Sequence, residues 1–340
     1  MDMIDLRSDT VTRPSSGMLE FMMKTSVGDM IFGEDPAVNE LEHMVADMFG
    51  MDAALFCPSG TMTNQIAIKA HTRPGDEVIC SRMAHIYQFE AGGVAFNSGA
   101  SVALIDSEDG TFTAEDVREH IHDPEDWHKA YTRLVEVENT VNRGAGACWD
   151  FNELRRIREL CDSRQLGYHL DGARIFNAMT TDGRKPAEYG ALFDSISICL
   201  SKGLGAPVGS LLIGNRDIIQ QGIRLRKVLG GAMRQAGYIA AAGIYALKNN
   251  ISRMTDDHRN AASLADALHQ CSLTEKVNYG GTNMVIFTLK PGMSAIEFLE
   301  KIRAKGILAL KTGERSIRMV THLDVSDRQI SQACDILANL

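Results

Sequence analysis

Lys202 stands where an apolar run breaks. The stretch Ser195-Ile196-Ser197-Ile198-Cys199-Leu200 alternates and is partly β-branched, the pattern of a strand. Ser201 and Lys202 follow it, and then three glycines and a proline up to Gly209, which cannot continue regular structure. A flexible amine at a strand end can form a Schiff base with a carbonyl, although a lysine in a turn is usually just a solvated side chain. The chain has twelve lysines, so Lys202 must be singled out by its company. Asp171, in His169-Leu170-Asp171-Gly172-Ala173-Arg174, ends another apolar run. Its carboxylate either pairs with Arg174 or faces a cationic ring nitrogen, whose proton it would hold. Pro58-Ser59-Gly60-Thr61 joins a short strand to a helix. A helix N-terminus offers free N–H groups to a phosphate; Gly60 admits the backbone closely, and Ser59 and Thr61 add hydroxyls. A lysine for an aldehyde, a carboxylate for a pyridinium and a cradle for a phosphate are together the requirements of pyridoxal phosphate.

Further residues fit the same site. His85, in Met83-Ala84-His85-Ile86-Tyr87, follows the strand Glu77 to Cys80. An imidazole there can stack on a flat ring or move a proton near neutral pH, against the alternative of a structural histidine. His128, Tyr87 and Tyr131 are weaker candidates. Arg318 lies inside the apolar run Ser316 to Val320. A buried guanidinium needs a partner, and a substrate carboxylate held bidentately would supply one. Arg226, Lys227 and Arg234 flank Gly230-Gly231, as a solvated helix face or as a contact to a phosphate or a neighbouring subunit.

The elements that must position these residues alternate. Strands at 53–56, 77–80, 101–105, 132–138, 167–170, 195–200 and 209–213 are separated by helical patterns, which predicts an α/β fold with a mainly parallel seven-stranded sheet. Ligands in such a sheet sit outside the carboxyl ends of the strands. Residues 1–30 read as an ordered arm with one short helix around Met18 to Met22. Residues 31–248 form a large domain, helical from about Asn215 to Asn250. Residues 249–340 form a small α+β C-terminal domain with strands at 284–289, 307–310 and 317–320.

Composition narrows the function class. The chain has 340 residues, 44% hydrophobic and 23% charged, with a net charge of −9. That is ordinary for a globular protein and lacks the basic excess of a nucleic-acid or anionic-membrane surface. The seven cysteines are scattered and never in a C-x-x-C pair, so neither a zinc site nor a disulfide framework is expected. Reduced thiols, with no signal peptide or membrane span expected, suggest a cytoplasmic protein acting on a small molecule.

Nine blocks carry a closer resemblance. They include Leu6-Arg7-Ser8-Asp9-Thr10, Pro58-Ser59-Gly60-Thr61-Met62-Thr63-Asn64, Ala84-His85-Ile86-Tyr87, Asp171-Gly172-Ala173-Arg174, Ser201-Lys202-Gly203-Leu204-Gly205-Ala206-Pro207-Val208-Gly209 and Arg318-Met319-Val320-Thr321-His322. From end to end the chain resembles the low-specificity L-threonine aldolases, fold-type I pyridoxal-phosphate enzymes of the β-eliminating lyase group. The resemblance implies retro-aldol cleavage of L-threonine or L-allo-threonine to glycine and an aldehyde. A β-elimination or racemisation on the same scaffold is the alternative, and a non-catalytic relative a more distant one. Lys202 would carry the cofactor, Asp171 would pair with its ring nitrogen, and His85 would stack on it. Ser59, Gly60, Thr61 and Ser201 would lie against it, with Arg234 and Lys227 reaching a phosphate across a subunit interface. Ser8, Arg174 and Arg318 would hold the substrate carboxylate, with Tyr87 on the substrate side and His128 near the β-carbon. The implied assembly is a homotetramer, a dimer of dimers. The family usually has a histidine where this chain has Val141, and an acidic residue and a tyrosine in place of Met30 and Phe32. An imidazole and a phenol on the substrate side are therefore expected to be missing.

Overall fold

The alternation between residues 53 and 213 folds into one sheet in the computed structural model, which describes residues 3–340. Strands are numbered in chain order. β1 (Ile4–Asp5) stands outside the large sheet. That sheet comprises β2 (Ala53–Cys57), β3 (Asp76–Ser81), β4 (Ser101–Ile105), β5 (Tyr131–Glu138), β6 (Gly167–Gly172), β7 (Ser195–Cys199) and β8 (Ser210–Gly214). The strand order is β2-β8-β7-β6-β5-β3-β4. Only β8 runs against its neighbours; the other pairings are parallel. β3, β7 and β8 are buried along their whole length, as a sheet covered on both faces requires.

Local chemistry sets the helix ends. Asp35 caps Pro36–Phe49, accepting from the Ala37 and Val38 N–H groups, and proline occupies the first helical turn. Ser59 caps Gly60–His71 through the Met62 N–H. The helical pattern after Asn215 is two helices, Arg216–Val228 and Gly237–Asn249. The break falls at Gly230, whose φ of 79° is left-handed.

A four-stranded antiparallel sheet lies at the C-terminal side: β9 (Thr274–Tyr279), β10 (Met284–Leu289), β12 (Leu310–Lys311) and β13 (Ser316–Val320), in the order β12-β13-β10-β9. The expected strand 307–310 is divided between β11 (Ile307–Leu308) and β12. β11 pairs in parallel with β1, and Ile4 and Leu6 pack in the same apolar cluster as Phe287, Phe298 and Ile317. The beginning of the arm is thus bound to the last part of the chain. Strand alternation does the rest. Ile317 and Met319 enter that cluster, while Arg318 turns to the opposite face with its register neighbours Ile286 and Leu310.

Candidate active site

That face forms one wall of a cleft of about 360 Å³ whose lining includes Ser8, His85, Phe89, Arg174, Lys202 and Arg318. The opposite wall is built from the carboxyl ends of the large sheet. Lys202 follows β7 in a tight loop held by Leu200 N–H to Gly209 O, Gly205 N–H to Lys202 O and Ala206 N–H to Leu200 O. Its Nζ lies 3.4 Å from Cys199 Sγ, and among the described residues it has no carboxylate partner. Thr12 from the arm donates to the Lys202 carbonyl at 3.0 Å.

Asp171 lies near the end of β6, fully buried. Its Oδ1 accepts from the Ala173 N–H at 3.0 Å and its Oδ2 from Asn64 Nδ2 at 2.7 Å. It does not pair with Arg174. That guanidinium makes a buried bidentate pair with Asp9, both bonds 2.7 Å. Burial alone would raise the Asp9 carboxyl, but Arg174 outweighs it and holds it well below the usual range. Arg174 therefore lines the cleft with its own anion already in place.

Arg318 is the opposite case. Its NH1 donates to Asn142 Oδ1 at 2.7 Å and its NH2 to Arg7 O at 3.2 Å, both neutral acceptors, while Nε has no partner. Burial, with Arg174 adding repulsion, pushes it down to about 10. A buried cation without an anion is an energetic liability that a bound carboxylate would remove.

His85 begins a short helix after β3, its N–H bonded to Glu138 Oε2 at 3.0 Å. Its Nδ1 meets Glu90 Oε1 at 3.0 Å, leaving Nε2 for the cleft. Burial disfavours the charged ring, yet the Glu90 hydrogen bond and the Asp171 and Glu138 charges together raise its pKa. Glu138 itself is pushed up to about 7 by burial and by Asp171. Imidazole and carboxylate atoms of His85, Glu90 and Asp171 lie within 4.8 Å of one another, a pocket of negative charge suited to a protonated heterocycle.

Three comparisons place this geometry. Residues 5–290 match the family described as "Beta-eliminating lyase". The chain belongs to that family. Its curated relatives include the low specificity L-threonine aldolase of Escherichia coli K12, 46% identical with 97% of each chain covered. Another is that of Saccharomyces cerevisiae, 38% identical over 97% of this chain and 86% of the relative. Among solved structures, a threonine aldolase from Leishmania major superposes with a TM-score of 0.85 at 21% identity over 99% of both chains. A serine palmitoyltransferase from Sphingomonas wittichii gives 0.78 at 14% identity, covering 99% of this chain and 86% of that one. The fold is that of the fold-type I pyridoxal-phosphate enzymes.

The residues of this chain fit that cofactor. At the phosphate end, the Gly60 and Thr61 N–H groups have no partner within their helix. A Cβ on Gly60 would stand 2.5 Å from Cys199 Sγ, so only glycine lets the turn lie against the Lys202 strand. Ser59 spends its hydroxyl on the cap, and Ser201 is half-buried beside Lys202.

Other expected residues stand elsewhere. Tyr87 is exposed and outside the cleft lining; Phe89, two residues on, takes the cleft position with its ring 5.6 Å from His85. His128 is exposed on the loop after His122, bonded to Asp126 and stacked on Trp127, and it does not line the cleft. Tyr131 is exposed with Arg133 over its ring. Lys227 is exposed, and Arg234 pairs with Asp29 at 3.0 Å. Arg226 turns inward to the Phe56 carbonyl. Val141 and Met30 are buried in the main apolar cluster and Phe32 is 72% exposed, so none of the three departures opens this chain's cleft. Asp9, Asn64, Phe89, Glu90 and Asn142 also belong to the site, although neither their types nor their spacing single them out. Asp9 and Asn64 fall within the blocks that carry the resemblance, which is their only signal in the sequence.

Proposed function

We propose that this chain is a pyridoxal-phosphate-dependent low-specificity L-threonine aldolase. It cleaves L-threonine, L-allo-threonine and related β-hydroxy-α-amino acids to glycine and an aldehyde. The observation that carries the reading is the pairing across one cleft of an uncompensated guanidinium, Arg318, with an unpaired amine, Lys202 Nζ. Those are the two groups an α-amino acid and an aldehyde cofactor need.

Bound through Lys202, pyridoxal phosphate supplies a sink for the electron pair left when the Cα–Cβ bond breaks. Arg318, assisted by Ser8, binds the substrate carboxylate, and fixing it orients Cα so that one bond is selected. His85 Nε2 takes the proton of the β-hydroxyl, its ring held by Glu90 through Nδ1. Asp171 holds a proton at the ring nitrogen. Phe89 and Ile286 supply apolar walls that exclude water. Lys227 and Arg234 reach the phosphate in a neighbouring subunit's site within a homotetramer, consistent with their exposure here. Residues 1–30, 31–248 and 249–340 form arm, large domain and small domain, and the protein works in the cytoplasm.

Holoenzyme offered the four threonine stereoisomers and β-phenylserine is expected to release aldehyde from the L-configured substrates. 2-Oxobutanoate or phenylpyruvate with ammonia, or inverted substrate without aldehyde, sinks the reading in favour of elimination or racemisation. If His85 is the base, kcat/KM falls on the acid side as its ring protonates. Glu90 stabilises the charged ring, so Glu90→Gln is expected to move that acid limb to lower pH. An unmoved or raised limb rejects His85 as the titrating group.

A further inference from the structure

Asp171 is not the only carboxyl under the helix Gly60–His71. Glu90, Glu136 and Glu138 are buried with it, and four buried carboxyls in one layer cannot all be anions. Their donors differ. Glu138 accepts two backbone N–H groups, from His85 and Asn142. Neither oxygen of Glu136 has a partner. Glu90 meets Gln65 Nε2 at 2.6 Å and His85 Nδ1 at 3.0 Å. Asn64 Nδ2 lies between the two remaining acids, 2.9 Å from Glu90 Oε1 and 2.7 Å from Asp171 Oδ2, the one side-chain donor that Asp171 has among the described residues. An amide oxygen facing both carboxylates would be repelled, so Nδ2 is fixed there.

The far side of Asn64 is also held. Its Oδ1 lies 3.2 Å from His169 Nε2, which must carry the proton. His169 Nδ1 is then an acceptor, 2.8 Å from Ser195 Oγ. Ser195 Oγ in turn lies 2.9 Å from His71 Nε2. His169 Nδ1 also lies 3.1 Å from the Ser195 carbonyl. Burial keeps the ring neutral by depressing its pKa to about 3, and the acceptor-only Asn64 Oδ1 draws the single proton to Nε2. With Nε2 protonated, the bonds from His169 through Asn64 both donate toward Asp171, and bonds aligned head to tail polarise one another.

We propose that Asn64, backed by His169 and Ser195, is a positioning residue that holds the Asp171 carboxyl through its one side-chain hydrogen bond and thereby sets how strongly the site favours a protonated ring nitrogen. This rests on the reading of the chain as a pyridoxal-phosphate enzyme. Without Asn64, Asp171 keeps only the Ala173 N–H as a donor.

The test compares equilibrium affinities for pyridoxal phosphate and for its 1-deaza analogue, which lacks the ring nitrogen, in the parent and in Asn64→Ala, His169→Ala and Ser195→Ala. The ratio of the two affinities isolates the nitrogen, as in a double-mutant cycle. Asn64→Ala is expected to reduce the parent's preference for the natural cofactor by about tenfold or more, the worth of one hydrogen bond to a charged group. His169→Ala should reduce it less and Ser195→Ala least, while His169→Gln, which keeps a donor, restores part of it. A merely structural role weakens both ligands equally and leaves the ratio unchanged, which overturns the proposal. If Asn64→Ala does not fold, an unchanged ratio in His169→Ala overturns it equally. A parent that binds neither ligand removes the proposed function itself, a different result from a parent that binds with an insensitive ratio.

Discussion

Lys202→Ala is expected to lower kcat/KM for threonine cleavage by about 10⁴-fold or more, the scale on which removing a covalent catalyst acts. The same substitution should abolish the visible absorption of covalently held cofactor while leaving unfolding by urea nearly unchanged. The two effects separate because of how Lys202 is held. Among the described residues its side chain makes no ion pair, and its one hydrogen bond there is a long contact with a thiol. The loop is maintained by backbone bonds to Leu200, Gly205 and Gly209 that alanine keeps. A surface-type change of this kind costs within about 0.5 kcal/mol. Activity above roughly 1% of the parent's would exclude Lys202 as the cofactor anchor, since the effect argued from is far larger.

The second large effect belongs to Arg318. Arg318→Met removes a charge-assisted hydrogen-bonding site worth about 1.5–3 kcal/mol to a bound carboxylate, so KM should rise by about 10- to 150-fold. Here too function and stability part. The guanidinium is buried, lacks an anion and is pushed down to about 10. A methionine of similar length removes that burden, so the substrate-free protein should unfold at no lower temperature than the parent, as expected where a site holds strain for binding. Arg318→Lys should recover only part of the affinity, because an ammonium cannot bind a carboxylate as a planar fork. Unchanged KM in Arg318→Met would move the carboxylate site elsewhere, with Ser8 the remaining candidate.

How far the sequence carries depends on the range of each interaction. The large sheet is legible because each strand is a short apolar run closed by a turn, and that period survives without its neighbours. Lys202, Asp171, His85 and Gly60 are legible for the same reason, since each stands at the end of such a run. Arg318 is legible because a charge inside an apolar alternation is anomalous. β1 escapes notice because two residues carry no period, and β9 because Thr274-Glu275-Lys276 is polar and half exposed. Asp9 and Asn64 escape because their meaning lies in partners far away in the chain: Arg174 is 165 residues from Asp9, and Asp171 is 107 from Asn64. Tyr87 and Phe89 show the limit of resemblance. The aromatic position lies in the right turn, but only the backbone of the short helix decides which ring faces the cleft. Val141 and Met30 show it again, since each departs from the usual residue at a position directed into this chain's core.

The pairing of β1 with β11 joins Ile4 to Ile307, and Arg318 donates to the Arg7 carbonyl. The two edges of the cleft thus come from stretches 311 residues apart in the chain. At about 5–20 residues per second, roughly 15–60 s separate the emergence of Ser8 from that of Arg318. Throughout that interval Ile4 and Leu6 have no apolar cluster to enter, and the carboxylate site has only one rim. The growing chain can fold the large sheet, with Lys202 and Asp171 in place, well before it can grip an amino acid. The groups for the cofactor are in place first; the grip on the substrate waits for Arg318.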